Sequence, residues 1–215
     1  NGRFAVDQWA REQGFCLEGR EAAKAISAAL LAGETVGLSS HFPIQGPLPV
    51  GVVREGRPLG FAVTLDEAKA PFGQTLRLIP RILTLGIGCR RGTPAEAIAR
   101  AVDTVLAEHR LSPKGVKQAA TIDLKKDEPG LLAFCQDRGL PLRCYPAEEL
   151  AGLPGDFTPS AFVQGVTGVD NVCERSAVRA GGELLIPKQA GGGVTVAVSQ
   201  APLTLCFTRS EGEML

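Results

Sequence analysis

Arg90 and Arg91 stand side by side in the stretch LTLGIGCRRGTPAEAI, residues 83–98. A helix N-terminus already carries about half a positive charge, so two guanidiniums beside one repel it unless an anion joins them. Arginine forks grip carboxylates and phosphates alike. Gly86, Gly88 and Gly92 in the same stretch let a backbone turn tightly and come close to a ligand. Thr93, Pro94 and Glu96 predict the helix start: Thr93 as N-cap, Pro94 at the first helical position, Glu96 completing a T-x-x-E capping box. The first N–H groups of such a helix are donors for an anion. Cys89 lies between Gly88 and Arg90, where a helix start and two cations would favour a thiolate. No histidine is placed beside it by the sequence, and a small packing residue is the preferred reading.

A second group follows in TIDLKKDEPGLL, residues 121–132, with Asp123, Lys125, Lys126, Asp127 and Glu128 just before Pro129. An acid here could simply favour the dipole of a helix starting at Pro129. Facing the crevice of Arg90, a carboxylate would instead serve as general base toward a water, with Glu128 the first candidate and Asp123 the second. In VTGVDNVCERSAV, residues 166–178, Thr167 or Asp170 can cap a further helix and Glu174 lies one turn in. Lys188 in LLIPKQAGGG is either a solvated strand-end lysine or a second cation for an acidic ligand. His41, in the proline-rich SSHFPIQGPLP, reads as an incidental loop histidine.

Several chemistries are excluded by spacing. Gly86, Gly88 and Gly92 give Gly-x-Gly-x-x-x-Gly, not the dinucleotide fingerprint, and neither a P-loop nor a G-x-S-x-G elbow occurs. The six cysteines, Cys16, Cys89, Cys135, Cys144, Cys173 and Cys206, form no CxxC pair, and they read as buried thiols of a reducing, cytoplasmic protein. Lys plus Arg and Asp plus Glu are equal at 23 each, which argues against a dedicated nucleic-acid binder. No apolar run is long enough to span a membrane, and no signal peptide is visible.

Alternating elements must hold these residues. Residues 3–12 and 18–33 predict helices, the second with Ala22, Ala23, Ile26, Ala29 and Leu30 on one face and Gly33 as its stop. Short β-like runs fill 35–80, giving a small α+β lobe. From 81 the chain alternates: strand RILTLGIG, helix 94–109, strand QAATIDL, helix 129–138, strand LPLRCYP, helices near 159–166 and 171–180, then ELLIPKQ, VTVAVSQ and LTLCFTR. The predicted class is α/β, a three-layer α/β/α domain over 81–215 preceded by the smaller lobe over 1–80. Its sheet is expected to be mixed, parallel first and antiparallel in the closing strands.

LGIGCRRGTPAEAI, ATIDLKKDEPGLLAF, LPLRCYPAEEL, FVQGVTGVDNVCERSAV and GGELLIPKQAGGGVTVAV, in that order, closely resemble the cobalt-precorrin-5A hydrolase family of anaerobic cobalamin biosynthesis. NGRFAVDQWA and SSHFPIQGPLPVGVV resemble that family's central region, so the likeness covers nearly the whole chain. It implies an α/β/α domain and an enzyme that opens the δ-lactone of a cobalt-corrinoid polycarboxylate and expels acetaldehyde. The alternative is a non-catalytic carrier of the same intermediate. The cobalt belongs to the substrate, so no cofactor and no protein-held metal are expected. The substrate-binding set would be Gly86, Gly88, Cys89, Arg90, Arg91, Gly92, Thr93, Thr167 and Lys188, with Glu128 and Asp123 catalytic. The implied partner is the corrinoid, with no nucleic acid and no membrane; other cobalamin-pathway enzymes and a homodimer stay open. The family carries an N-terminal domain ahead of the NGRFAVD region. The chain starts at Asn1 rather than Met, so a segment upstream is expected.

Overall fold

The computed structural model describes residues 4–54, 56–159, 165 and 168–208. It divides into two compact units, Asn1–Arg81 with Leu203–Leu215, and Ile82–Pro202.

In the first unit, α1 (Val6–Glu12), β1 (Cys16–Glu18) and α2 (Arg20–Ala32) lead into β2 (Val36–Ser40), β3 (Ile44–Gln45), β4 (Val52–Val53), β5 (Leu59–Val63) and β6 (Gln74–Ile79). Helix α2 buries Ala22, Ile26, Ala29 and Leu30 and stops at Gly33, whose left-handed φ of 82° lets its N–H reach back to the last turn. The sheet order is β1-β6-β5-β2-β4, parallel throughout except for β1.

The closing run LTLCFTR belongs to this unit, not to the α/β/α sheet as expected. Only Leu205–Cys206 form a strand, which pairs parallel with β3. The apolar cluster explains the return: the Trp9 indole N–H donates to the Cys206 carbonyl at 3.0 Å, and the Phe207 ring stacks on Trp9 at 4.5 Å between centroids. The tail therefore buries its aromatic ring here.

The second unit runs β7 (Leu83–Cys89), α3 (Ala95–Glu108), β8 (Val116–Ile122), α4 (Pro129–Arg138), β9 (Leu142–Tyr145), α5 (Ala147–Ala151), α6 (Val172–Gly181), β10 (Glu183–Gly191) and β11 (Val194–Gln200). The expected helix near 159–166 lies outside the described residues apart from Pro159 and Gly165. Strand order is β10-β11-β7-β8-β9, with β7–β8–β9 parallel and both pairs of the hairpin side antiparallel, the mixed sheet expected.

Side chains alternate across the sheet, which sorts the helices into layers. Gly86 faces α6 so closely that a Cβ there would collide with the Cys173 carbonyl oxygen and lie 2.8 Å from the Ala177 Cβ. Ala197, opposite Gly86 on β11, joins Cys173 and Ala177 in one buried cluster. Leu85 and Ile87 point to the other face, where α3 buries Ile98, Val102, Val105 and Leu106. Helix α6 is also tied to the sheet by hydrogen bonds: Ser176 Oγ donates to Ala120 O, Ser199 Oγ to Ala177 O, and Gln118 Nε2 to Ala180 O.

Candidate functional site

The turn expected at Gly86 and Gly88 comes later. Both glycines are inside β7, which is paired on both sides, and cross-strand pairing holds them extended. Gly86 makes its close approach to α6 rather than to a ligand, and a Cβ on Gly88 would meet the Thr195 hydroxyl at 2.5 Å. The chain turns only at Arg90–Thr93, where Gly92 takes a left-handed φ of 73°.

Thr93 does not cap the helix. Its hydroxyl donates to the Arg90 carbonyl at 2.8 Å inside the turn, and the N-cap is Pro94, with ψ of 153° and no side-chain cap. The T-x-x-E box fails because the helix starts one residue later, with Pro94 rather than Thr93 at the N-cap, and Glu96 stays exposed. The first turn of α3 is thus open to an external acceptor. Arg90 and Arg91 are both exposed beside it. Neither guanidinium is in an ion pair with a described residue. Arg90 is held by its backbone, its N–H donating to Gly193 O at 3.1 Å, and its aliphatic stem lies over Gly193.

The loop after β8 clasps this turn. Glu128, only 8% exposed, accepts the Gly92 N–H through Oε1 at 2.6 Å, while Oε2 lies 3.5 Å from Lys125 Nζ. Gly130 sits so close to Thr93 that a Cβ there would collide with the Thr93 carbonyl oxygen. Lys125 and Glu128 both act on the Cys89 thiol, but burial is the larger influence and pushes it above its ordinary value. That disfavours a thiolate at Cys89. Glu128, Lys125, Cys89, Gly92 and the Arg90 turn therefore form one neighbourhood. Asp123 is half-buried in the 3-10 turn Asp123–Lys125, two residues before Lys125, and its charge, with that of Asp127, also acts on Cys144 of β9.

At the start of α6 Glu174 lies one turn in, as its spacing predicts, but the cap differs. Thr167 lies outside the described residues. Asp170 does not cap, because its carboxylate pairs with Arg175 at 2.8 Å. The cap is Asn171, whose side chain accepts the Glu174 N–H at 3.0 Å and donates to Thr158 O at 2.8 Å. Glu174 is fully buried, accepting the Thr158 N–H (2.9 Å), the Thr158 hydroxyl (2.8 Å) and the Lys188 N–H (2.7 Å). Burial alone would raise its carboxyl, but these donors and Asn171 outweigh it and hold the pKa below 4.5. Asn171 and Glu174 were legible as N-x-x-E, an N-cap signature. Thr158, 13 residues before Asn171, was not. Lys188 is half-buried on β10, apart from the Arg90 turn.

Among the described residues no group of three or more His, Cys, Asp or Glu side chains is placed to hold a metal ion. None of the described helices is long and apolar enough to cross a membrane.

The second unit is a three-layer α/β/α domain that presents an open helix start and two exposed cations beyond the carboxyl end of its central strand. Residues 83–199 match the family described as cobalamin synthesis G C-terminus, and residues 4–80 match the cobalamin biosynthesis central region. The chain belongs to this cobalamin-biosynthesis family. It is 29% identical to the cobalt-precorrin-5A hydrolase of Priestia megaterium over 92% of this chain, and spans only 58% of that protein. It is 34% identical to protein CobE of Sinorhizobium sp. over 57% of this chain and 82% of that protein. A crystal structure of CobE, from the cobalamin (vitamin B12) biosynthetic pathway, superposes with a TM-score of 0.52 at 32% identity, covering 57% of this chain and 92% of CobE.

Proposed function

We propose that this chain binds cobalt-precorrin-5A at the Arg90 turn and opens its δ-lactone, releasing acetaldehyde and leaving cobalt-precorrin-5B. The observation that carries the reading is the uncapped start of α3 with two exposed guanidiniums that no described acid neutralises. A corrinoid bearing acetate and propionate arms supplies the missing anions.

In this reading Arg90, Arg91 and Lys188 hold carboxylate arms, and the N–H groups of Arg91 and of the α3 start face the developing oxyanion, since those of Arg90, Gly92 and Thr93 already donate to Gly193 O, Glu128 Oε1 and Arg90 O. Gly92 shapes the turn and Thr93 locks it. Gly86, Gly88 and Cys89 support it from the strand below. Glu128 has two tasks. Oε1 fixes the turn through Gly92, and Oε2, at 3.5 Å from Lys125 and so beyond a good hydrogen bond, takes the proton of the attacking water. Asp123 is the second candidate for that proton. Acetaldehyde then leaves by retro-aldol cleavage, with the macrocycle as electron sink. The cobalt enters with the substrate.

The test incubates the chain with cobalt-precorrin-5A and measures acetaldehyde. Parent chain is expected to release it, and Glu128→Gln to lose about 100-fold or more in rate, the scale of a general base. Parental acetaldehyde release from Glu128→Gln would take Glu128 out of the mechanism. Binding without acetaldehyde favours the carrier reading, which draws support from the 58% span: the remainder of the longer relative could hold part of the chemistry.

A further inference from the structure

Strand β10 is irregular where Lys188 sits. Ile186 is opposite Val198 and Gln189 opposite Val196, so Pro187 and Lys188 together face the single residue Ala197. This is a β-bulge, which re-aims side chains and leaves one residue outside the regular ladder. Pro187 has no N–H to lose there. The Lys188 N–H donates instead to Glu174 Oε1 on α6. The same oxygen accepts the Thr158 hydroxyl, and Oε2 accepts the Thr158 N–H. One buried carboxylate thus fixes an exposed loop residue and the backbone of a cation at once. The cation lies on the α6 side of the sheet. Burial pushes the neighbouring Cys173 thiol up to about 11, and Lys188 is among the groups that oppose the rise. Lys188 is level with Gly86, two strands away or about 10 Å at ordinary strand spacing, and Arg90 is four residues beyond Gly86, about 13 Å further along β7, so the corrinoid and its extended arms must span both distances.

We propose that Glu174 is a positioning residue for Lys188: by gripping the Lys188 N–H and Thr158 together, it sets the bulge that carries the ammonium to a carboxylate arm of the bound corrinoid. The inference rests on the proposed corrinoid site. Glu174 touches no substrate itself. Glutamine cannot replace it, because both oxygens accept and the amide NH2 would face a donor.

Two readouts test this. Calorimetric titration with cobalt-precorrin-5A compares parent, Glu174→Gln, Lys188→Met and the double variant, at a temperature where circular dichroism shows all four folded. Each single change is expected to weaken binding about tenfold, and the double variant no more than the weaker single, because the two act in series. Additive losses of about 100-fold in the double variant, or unchanged affinity in Glu174→Gln, overturn the proposal. Hydrogen exchange of the Lys188 amide is read without ligand. It should accelerate at least tenfold in Glu174→Gln, and parental protection overturns the positioning claim whatever the ligand does. A parent chain that binds no corrinoid, with the exchange result as expected, removes the corrinoid site and leaves the bulge clasp standing. Should Glu174→Gln not fold, Glu174→Asp shortens the reach to the Lys188 N–H and carries the same expectations.

Discussion

Two helices start on opposite faces of the same sheet, and their first turns are managed in opposite ways. Helix α6 is closed by its own chain: Asn171 caps it, and the carboxylate of its first turn is saturated by Thr158 and Lys188. Helix α3 has no side-chain cap, its threonine is turned back into the preceding loop, and its neighbours are two exposed arginines. A closed start stabilises the fold, while an uncapped one leaves donors for something outside the protein. The difference separates the scaffold from the candidate site, and in the proposed function it is the α3 start that takes the substrate's carboxylates.

The largest expected effect comes from the closed side. Gly86→Ala drives a methyl into the Cys173 carbonyl, so α6 must lift from β7; a loss of about 3 kcal/mol or more in urea unfolding is expected. A loss under about 1 kcal/mol would mean that α6 is not seated as described.

Next is the pair of caps. Asn171→Ala should cost about 1–2 kcal/mol, since it removes both the cap and the tie to Thr158. Thr93→Val should cost about 0.5–1 kcal/mol, the worth of one turn hydrogen bond. Equal costs would erase the contrast between the two starts.

The smallest effect is a matter of pH. The folded-state pKa of Glu174 is depressed, so its stabilisation is fully present above the unfolded value near 4.5 and is lost as pH falls below it. Unfolding curves between pH 6 and pH 3 should therefore show a shallower acid loss in Glu174→Gln than in the parent. Parallel curves would show that Glu174 is not held ionised by its donors.

Much of this architecture was legible because burial has a period. The helix at 129–138 and the apolar face of α3 follow directly from spacing, and so does the mixed sheet, since short glycine connections leave the last strands no room for a crossover. Local signals failed where a distant partner outbid them. Gly86 and Gly88 read as a turn, but pairing with β11, and at Gly86 with β8 as well, holds them extended, and the space they free is taken by α6 at Gly86 and by the Thr195 hydroxyl at Gly88. The Thr93 hydroxyl donates to the Arg90 carbonyl within the turn, and the helix starts after Pro94 instead. The tail around Phe207 read as one more strand of the last sheet, yet its ring is taken by Trp9 almost 200 residues earlier in the chain, a pairing with no signature in spacing. Glu174 was visible as an acid one turn into a helix, but not the donors from Thr158 and the β10 bulge that make it a clasp.

The most direct test is the affinity for cobalt-precorrin-5A of the parent chain against the double variant Arg90→Ala, Arg91→Ala, titrated at two salt concentrations. The open α3 start requires the variant to bind about 100-fold more weakly, with a flatter salt dependence, and to unfold as the parent does. A double variant that binds as tightly as the parent at both salt concentrations would contradict the placement of the substrate's carboxylates at that turn.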